Sequence, residues 1–111
     1  MAWQATYKYA RISARKARLI IDLIRGRHVQ EALDILKYTP NRAAAMISKT
    51  LTSAVANANE AEADVDRLYV EQARIDEGPS MKRFQPKDRG RAHPILKRTS
   101  HIFVAVEQME G

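Results

Sequence analysis

Residues 81–100, "MKRFQPKDRGRAHPILKRTS", decide the fold, because they separate two stretches that both alternate like β-strands. Seven lysines and arginines, one aspartate and two prolines stand in this segment, which leaves it little apolar surface to bury. Gly90 favours a tight turn, whereas Pro86 and Pro94 each remove a ladder N–H, so we expect the pairing to loosen toward the tip. The pattern predicts a long, exposed and basic β-hairpin over 78–100 that is packed by a partner from outside its own domain.

The sequence predicts three further strands around this segment. In "LYVEQARI", residues 68–75, the apolar side changes near Glu71 or Gln72, which predicts a bulge. The run "HIFVAV", residues 101–106, alternates without interruption and can pair with 68–75 as an antiparallel partner. Near the start of the chain, residues 3–9 also have period two, with the apolar side expected to face the core. That side carries Trp3, Ala5, Tyr7 and Tyr9.

Three helices are predicted between the first strand and residue 68. The first follows a cap at Ser13 and stops at Gly26, which can adopt the left-handed conformation. The second covers "VQEALDILKY", residues 29–38. The third is expected over 40–61, with Thr39 as its cap and proline at its first position. Apolar residues recur at helical spacing in all three, so we predict an α+β domain: three helices packed on a three-stranded antiparallel sheet with a long protruding β-hairpin.

Length and composition indicate one domain, residues 1–111. The chain has no cysteine, which excludes disulfides, thiolate metal sites and a cysteine nucleophile. It begins without a secretory pattern and has no apolar run near the 18 or so residues that cross a bilayer, so we expect a soluble intracellular protein and no membrane partner.

The formal net charge of +6 resides entirely in residues 81–100, because the remaining basic and acidic residues are equal in number. A second basic concentration lies near the N-terminus, where Arg15, Arg18 and Arg25 fall opposite the apolar stripe of the first helix. Local positive charge of this density is typical of a protein that binds a polyanion, although a solvated face is the competing interpretation for the helix. Phe84 fits either stacking on unpaired RNA bases or packing against Met81 within the hairpin.

The sequence gives no positive signal for an enzyme. It lacks the phosphate-binding GxxxxGK[ST] loop, the GxGxxG turn, the GxSxG elbow and the HExxH zinc motif. The three histidines, His28, His93 and His101, are too far apart in sequence for ligand-like spacing, so we predict neither a metal site nor a cofactor.

Several segments together resemble the bacterial large-ribosomal-subunit protein L-twenty-two family. The similar segments are "SARKARLIIDLIRGRHVQEALDIL", "AAAMISKTLTSAVANANE" and above all "DEGPSMKRFQPKDRGRAHPILKRTSHIFVAV". The resemblance implies a cytoplasmic protein of the ribosome that binds large-subunit rRNA, acts early in subunit assembly, and lines the nascent-polypeptide exit tunnel with its hairpin tip. It also implies neighbouring large-subunit proteins as partners, including protein four at the tunnel constriction, and a nascent peptide passing the tip.

From charge and resemblance together, the expected site residues fall into two groups. The rRNA-binding group is Lys8, Arg11, Arg15, Arg18, Arg25, Lys82, Arg83, Lys87, Lys97, Arg98, Thr99, Ser100 and His101. The tunnel tip is expected at Arg89, Gly90, Arg91 and Ala92. The sequence departs from the family pattern at Asp88, an acid that could pair with a neighbouring arginine, and at His93–Pro94.

Two other functions remain open from the residues alone. An architectural DNA-binding protein would also use basic β-arms with prolines near their tips. A nuclease would use the acidic run over residues 60–66 with a divalent cation, whereas a solvated helix end explains the same run without chemistry.

Overall fold

The computed structural model describes residues 2–79, 81–87 and 91–109, with side chains for all of these except 81–87 and 91–97. Its elements, in chain order, are β1 (Ala2–Ala10), α1 (Ala14–Ile21), α2 (Val29–Lys37), α3 (Arg42–Glu60), a 3-10 turn (Val65–Arg67), β2 (Leu68–Glu77), β3 (Met81–Lys87), β4 (Arg91–Lys97) and β5 (Ser100–Gln108).

The sheet has three antiparallel strands in the order β1-β5-β2, so β5 is central and the other two strands are edges. The register between β2 and β5 shifts between Val70 and Gln72. This shift is the bulge that the change of apolar side predicts, and it lets residues on both sides of it face the core. With three helices beside this sheet, the predicted α+β class is confirmed.

The helices cover one face of the sheet and form the core with it. Ile21, Ile47 and Leu51 from the helices are fully buried against Val104 and Ile102 of the central strand. Alanines on the inner side of α3 allow that helix to lie close to β1 and β5. Burying one isoleucine or leucine here contributes about 1.5–3 kcal/mol, so this layer holds the domain together.

The alternation of β1 breaks at Tyr9, and the expectation that this ring faces the core is wrong. Tyr9 is 60% exposed, has a φ of 58°, and lies in a register irregularity between Tyr7 and Ala10. The positive φ turns the tyrosine outward and puts Ala10 inside instead. A hydrogen bond from the Tyr9 N–H to Nδ1 of His101, 3.0 Å long, holds this conformation.

The helix boundaries differ from the prediction at several places. The third helix starts at Arg42, two residues late, because Asn41 caps it by accepting a 2.8 Å hydrogen bond from the Ala43 N–H. Thr39 instead closes α2 by donating to the Ile35 carbonyl at 2.7 Å. Ser13 occupies the N-cap of α1, but its side chain makes no capping bond.

The first helix ends at Ile21, five residues before the predicted stop at Gly26, and has Asp22 as its C-cap. A turn continues to Gly26, which has the predicted left-handed conformation with a φ of 80°. At the other edge of the sheet, the amide of Asn57 donates to the Gln4 carbonyl at 2.9 Å. The Asn57 side chain therefore ties α3 to β1.

Strands β3 and β4 pair antiparallel from Met81 opposite Lys97 to Lys87 opposite Arg91. The predicted loosening toward the tip does not occur in the described strands. Pro94 lies opposite Phe84, and Pro86 lies opposite Ala92, two positions further along the ladder. Because hydrogen-bonded and non-hydrogen-bonded pairs alternate, both prolines can occupy pairs in which the N–H that proline lacks would face away from the partner strand. We call these two strands the arms.

The molecule is elongated, with principal extents of 68 × 25 × 17 Å and a radius of gyration of 17.1 Å. A compact domain of this length would have a radius of gyration of about 13 Å. The paired arms and the elongation support the expected protruding hairpin. Asp88, Arg89 and Gly90 at its tip lie outside the described residues, as do the side chains of Met81 and Phe84, on which the alternative of mutual packing or base stacking depends.

Candidate nucleic-acid interface

The arms leave the domain at a small cluster of residues, which we call the root: Gly78, Pro79, Thr99, Ser100 and His101, of which Thr99 and Ser100 are buried. The Gly78 N–H donates to the Thr99 carbonyl at 2.9 Å, and the Thr99 hydroxyl donates to the Pro79 carbonyl at 2.6 Å. Ser100 is completely buried and its hydroxyl donates to the Ile12 carbonyl at 2.8 Å. These bonds join both arms to each other and to the segment between β1 and α1.

Gly78 is required at the root by close packing. A Cβ added at this position would lie 2.5 Å from Oγ1 of Thr99 and 3.3 Å from two atoms of the His101 ring. Thr99 is only 6% exposed and its hydroxyl is already bonded, so it has little freedom to move aside. Glycine therefore allows the two arms to approach each other where they enter the domain.

Sequence reasoning places Thr99, Ser100 and His101 among the rRNA contacts, and the structure gives all three internal partners. The two hydroxyls are buried and bonded as described above. His101 accepts from the Tyr9 N–H through Nδ1, and its ring meets the Tyr9 ring edge-on at a centroid distance of 4.9 Å. Their side chains hold the root together, and the His101 ring is half-buried there.

Five exposed basic residues lie in or next to the segments that meet at the root. Their side chains make no ion pair or hydrogen bond with any other residue that the structure describes. They are Lys8, Arg11, Arg15, Lys16 and Arg98, and we call them the root surface. A small cleft of about 70 Å³ brings Arg15 and Arg98 together with Ser13, Glu77 and Gly78. Glu77 is the one acid on the wall of this cleft, so positive charge dominates where the arms begin.

Three other arginines of the domain are already engaged in ion pairs. Arg25 pairs with Asp22 at 2.7 Å, Arg27 with Glu31 at 2.6 Å, and Arg74 with Asp76 at 3.1 Å. Each of these side chains is about half exposed, so each pair contributes less than about 1 kcal/mol to stability. Pairing nevertheless cancels their charge locally. The root surface groups five basic side chains without such a partner among the described residues, and Arg42, at the start of α3, is exposed and likewise unpaired there.

Arg18 and Arg25 belong to the predicted rRNA-binding group, but their guanidinium groups turn toward β2. Arg18 donates through Nε and Nη2 to the Ile75 carbonyl, at 3.3 and 3.0 Å. Arg25 donates in the same way to the Ala73 carbonyl, at 3.1 and 2.7 Å. Charge and helical position alone do not reveal these acceptors, because they lie 57 and 48 residues further along the chain.

The remaining predicted contacts lie on the arms, where the structure describes the backbone. The register sets Lys82 opposite Leu96 and Arg83 opposite Ile95, with Lys87 opposite Arg91 at the far end. Lys97 lies opposite Met81 next to the root. Positive residues thus occur along the full length of the paired strands, while Arg91 and Ala92 of the expected tip begin β4.

The described part of the chain offers little for catalysis or metal binding. Within it, no group of three or more histidine, cysteine, aspartate or glutamate residues could hold a metal ion. In the acidic run, Asp64 accepts a hydrogen bond from the Asp66 N–H and caps the 3-10 turn, as expected for a helix end. No helix among these residues is long and apolar enough to cross a membrane.

A small α+β domain with two basic arms and exposed basic side chains at their root is typical of proteins that bind a polyanion. The family model described as ribosomal protein L22p/L17e matches residues 5–107, nearly the whole chain. The chain belongs to this ribosomal protein family, as the resemblance predicted. Membership confirms the expectation of a structural, non-enzymatic protein of the ribosome.

Individual relatives agree with this assignment. The chain is 59% identical to large ribosomal subunit protein uL22 of Ligilactobacillus salivarius over 104 residues, which cover 93% of this chain and 90% of that protein. It is 54% identical to the protein of the same name from Lacticaseibacillus casei, covering 96% and 92% of the two chains. The protein of that name from Clostridium novyi is 50% identical, covering 97% and 98%.

Proposed function

We propose that the protein is a constituent of the large ribosomal subunit and binds large-subunit rRNA through the root surface and the arms. One observation carries this proposal: in a chain of a ribosomal protein family, five exposed basic side chains without a partner among the described residues lie next to two paired basic strands. Because an isolated ribbon of this charge repels itself, phosphate is the partner that makes it favourable to order.

Residues of two regions are proposed to neutralise phosphates. At the root they are Lys8, Arg11, Arg15 and Arg98, which are exposed and have no partner within the described residues. On the arms they are Lys82, Arg83, Lys87 and Lys97, whose positions along β3 and β4 would follow the backbone of an RNA groove or junction. Of the three root residues carried over from the resemblance, His101 would contribute its half-buried ring, whereas Thr99 and Ser100 would act through their backbone.

The finer roles rest on the family resemblance and on the names of the relatives. We propose that the tip, Arg89, Gly90, Arg91 and Ala92, lines the nascent-polypeptide exit tunnel near protein four and meets the passing peptide. We further propose that the protein supports early assembly of the subunit, because arms that bind several RNA segments at once would hold those segments together.

Competition binding tests the main proposal. A labelled large-subunit rRNA fragment is bound at several salt concentrations in the presence of excess duplex DNA. The intact protein is compared with a variant in which residues 82–98 are replaced by a short turn. We expect rRNA to win by orders of magnitude, and we expect the shortened variant to lose most of the affinity and most of the salt dependence.

Two outcomes would contradict the proposal. Equal competition by duplex DNA would favour the architectural DNA-binding alternative, in which the arms grip a minor groove and bend the duplex. Full affinity of the shortened variant would show that the arms do not bind RNA. Incubation of the rRNA with protein and Mg²⁺ serves as a control for the nuclease alternative, because the proposed function predicts intact RNA.

A further inference from the structure

Strand β2 is an edge of the sheet, and its outer side would leave a row of backbone groups without strand partners. The chain segment from α1 to the start of α2 lies along this edge. The Gly26 N–H donates to the Val70 carbonyl at 2.9 Å, and the Val70 N–H donates to the Arg27 carbonyl at 2.8 Å. An isolated bridge between His28 and Tyr69 continues the pairing.

Further along the edge of β2, arginine side chains rather than backbone groups bond the strand. Arg25 donates two N–H groups to the Ala73 carbonyl, and Arg18 donates two to the Ile75 carbonyl. Residue numbers fall along β2 as they rise from α1 through the turn that follows it, so this segment runs antiparallel to the strand. At the end of β2 that leads to the arms, two guanidinium groups therefore donate the hydrogen bonds that a neighbouring strand would otherwise supply to these carbonyls.

The two arginines reach the strand from different local structures. Arg18 lies in α1, whereas Arg25 lies in the turn that follows the helix. Residues two apart on a strand are about 7 Å apart, so the two carbonyls offer separate acceptors to the two long side chains. Each guanidinium donates from two nitrogens to one oxygen, a fork that the single amine of lysine does not reproduce.

The contact joins the two halves of the proposed interface. Arg18 lies one turn after Arg15 of the root surface, and Ile75 lies three residues before Gly78 of the root. A bond between Arg18 and the Ile75 carbonyl therefore fixes the start of α1 relative to the strand from which the arms extend.

We propose that Arg18 and Arg25 are positioning residues, which lock α1 against the edge of β2 and so set the direction of the arms relative to the root surface. They bind no phosphate themselves. This inference rests on the proposed function, since its readout is the affinity for rRNA, but it assigns these two arginines a different role from that of Arg15.

The test is an Arg18→Gln/Arg25→Gln variant, with binding of the rRNA fragment measured across a salt series. We expect affinity to fall about three- to tenfold at every salt concentration, because an interface that is no longer pre-ordered loses roughly 0.5–1.5 kcal/mol. The slope of log K against log salt should stay as in the wild type, since no phosphate contact is removed. Circular dichroism at the binding temperature checks that the variant is folded.

A charge-preserving variant separates geometry from charge. Arg18→Lys/Arg25→Lys should lose as much affinity as the glutamine variant, because lysine keeps the charge and loses the fork. If the double substitution unfolds the domain, the single Arg18→Lys variant gives the same comparison.

Three results would overturn the inference. A slope reduced by about one unit per arginine would identify both as phosphate contacts. Unchanged affinity in a folded variant would show that Arg18 and Arg25 only bond the edge of β2 and do not influence the arms. Full rescue by lysine would show that charge alone acts. Failure of the wild-type protein to bind rRNA would instead reject the proposed function, so the two failures are distinguishable.

Discussion

Arg15 and Arg18 lie one helical turn apart in α1, yet their guanidinium groups meet different surroundings. Arg18 faces the edge of β2 and donates two hydrogen bonds to one carbonyl. Arg15 lines the cleft at the root, and no side chain or carbonyl among the described residues accepts from it. The two arginines look equivalent in the sequence, since both are exposed positions of one basic helix.

The difference teaches that the net charge of a segment overstates its capacity to bind a polyanion. At the edge of β2 and on the helix surface, arginine charge is used within the domain, by carbonyls or by Asp22 and Glu31. At the root, the arginine side chains have no such partner among the described residues. Available positive charge, rather than total positive charge, is what a phosphate meets, and only tertiary structure separates the two quantities.

The largest expected effect comes from removing the unpaired charge. An Arg11→Gln/Arg15→Gln/Arg98→Gln variant should flatten the salt slope of rRNA binding by roughly two to three units, because each phosphate contact contributes a little under one. Its thermal midpoint should stay within about 2 °C of the wild type, since these side chains have no partner to lose within the described residues. Fluorescence titration over a salt series and thermal melting measure the two quantities.

A matched control removes the same charge from engaged residues. Arg27→Gln/Arg74→Gln/Lys37→Gln changes the net charge equally, at side chains that pair with Glu31 and Asp76 or lie over the Tyr38 ring. This variant should leave most of the salt slope in place. Equal flattening by both variants would mean that net charge alone governs binding and would remove the distinction between the two regions.

Gly78→Ala should disturb the root by about 1–3 kcal/mol, because its Cβ would overlap Oγ1 of Thr99. Chemical denaturation measures the change in the free energy of unfolding. Gly26→Ala is the matched control: it meets nothing within 4 Å but has a φ of 80°, so it should cost only about 1 kcal/mol.

A double substitution identifies the cause of that cost. Gly78→Ala/Thr99→Ala removes the atom that clashes, so its destabilisation should be smaller than the sum of the two single changes. Additive costs would show that the clash with Thr99 is not what makes glycine necessary.

The fold follows from the sequence wherever one face of an element is apolar. The alternation of β5 and the change of side within β2 suffice to predict the pairing and the bulge, because burial of one face fixes the register. Helix ends are harder, because Thr39 and Asn41 are both good capping residues and the tertiary packing selects between them. The outward orientation of Tyr9 is not predicted, because no neighbouring residue indicates the positive φ there. The side chain that stabilises this conformation, His101, is 92 residues away in the sequence.

The site is predicted less completely than the fold. The concentration of charge in residues 81–100 and near the N-terminus is visible in the sequence, and it predicts a protein that binds a polyanion. The ribosomal protein family follows from the resemblance of the quoted segments, and the family model confirms it. The sequence does not tell which side chains are already engaged. The internal roles of Thr99, Ser100 and the two edge arginines depend on acceptors that the fold brings from distant parts of the chain.

The smallest expected effect compares two serine hydroxyls that make the same kind of bond in different places. Ser100 is buried and donates to the Ile12 carbonyl at 2.8 Å, while Ser53 is exposed on α3 and donates to the Lys49 carbonyl at 3.1 Å. Ser100→Ala should cost about 1 kcal/mol, because the Ile12 carbonyl loses its hydroxyl donor at a site sheltered from water. Ser53→Ala should change stability by less than about 0.5 kcal/mol, because water replaces the lost bond and alanine favours the helix. Denaturant unfolding measures both, and equal values would mean that the root is open to water, in which case its hydrogen bonds would not fix the arms.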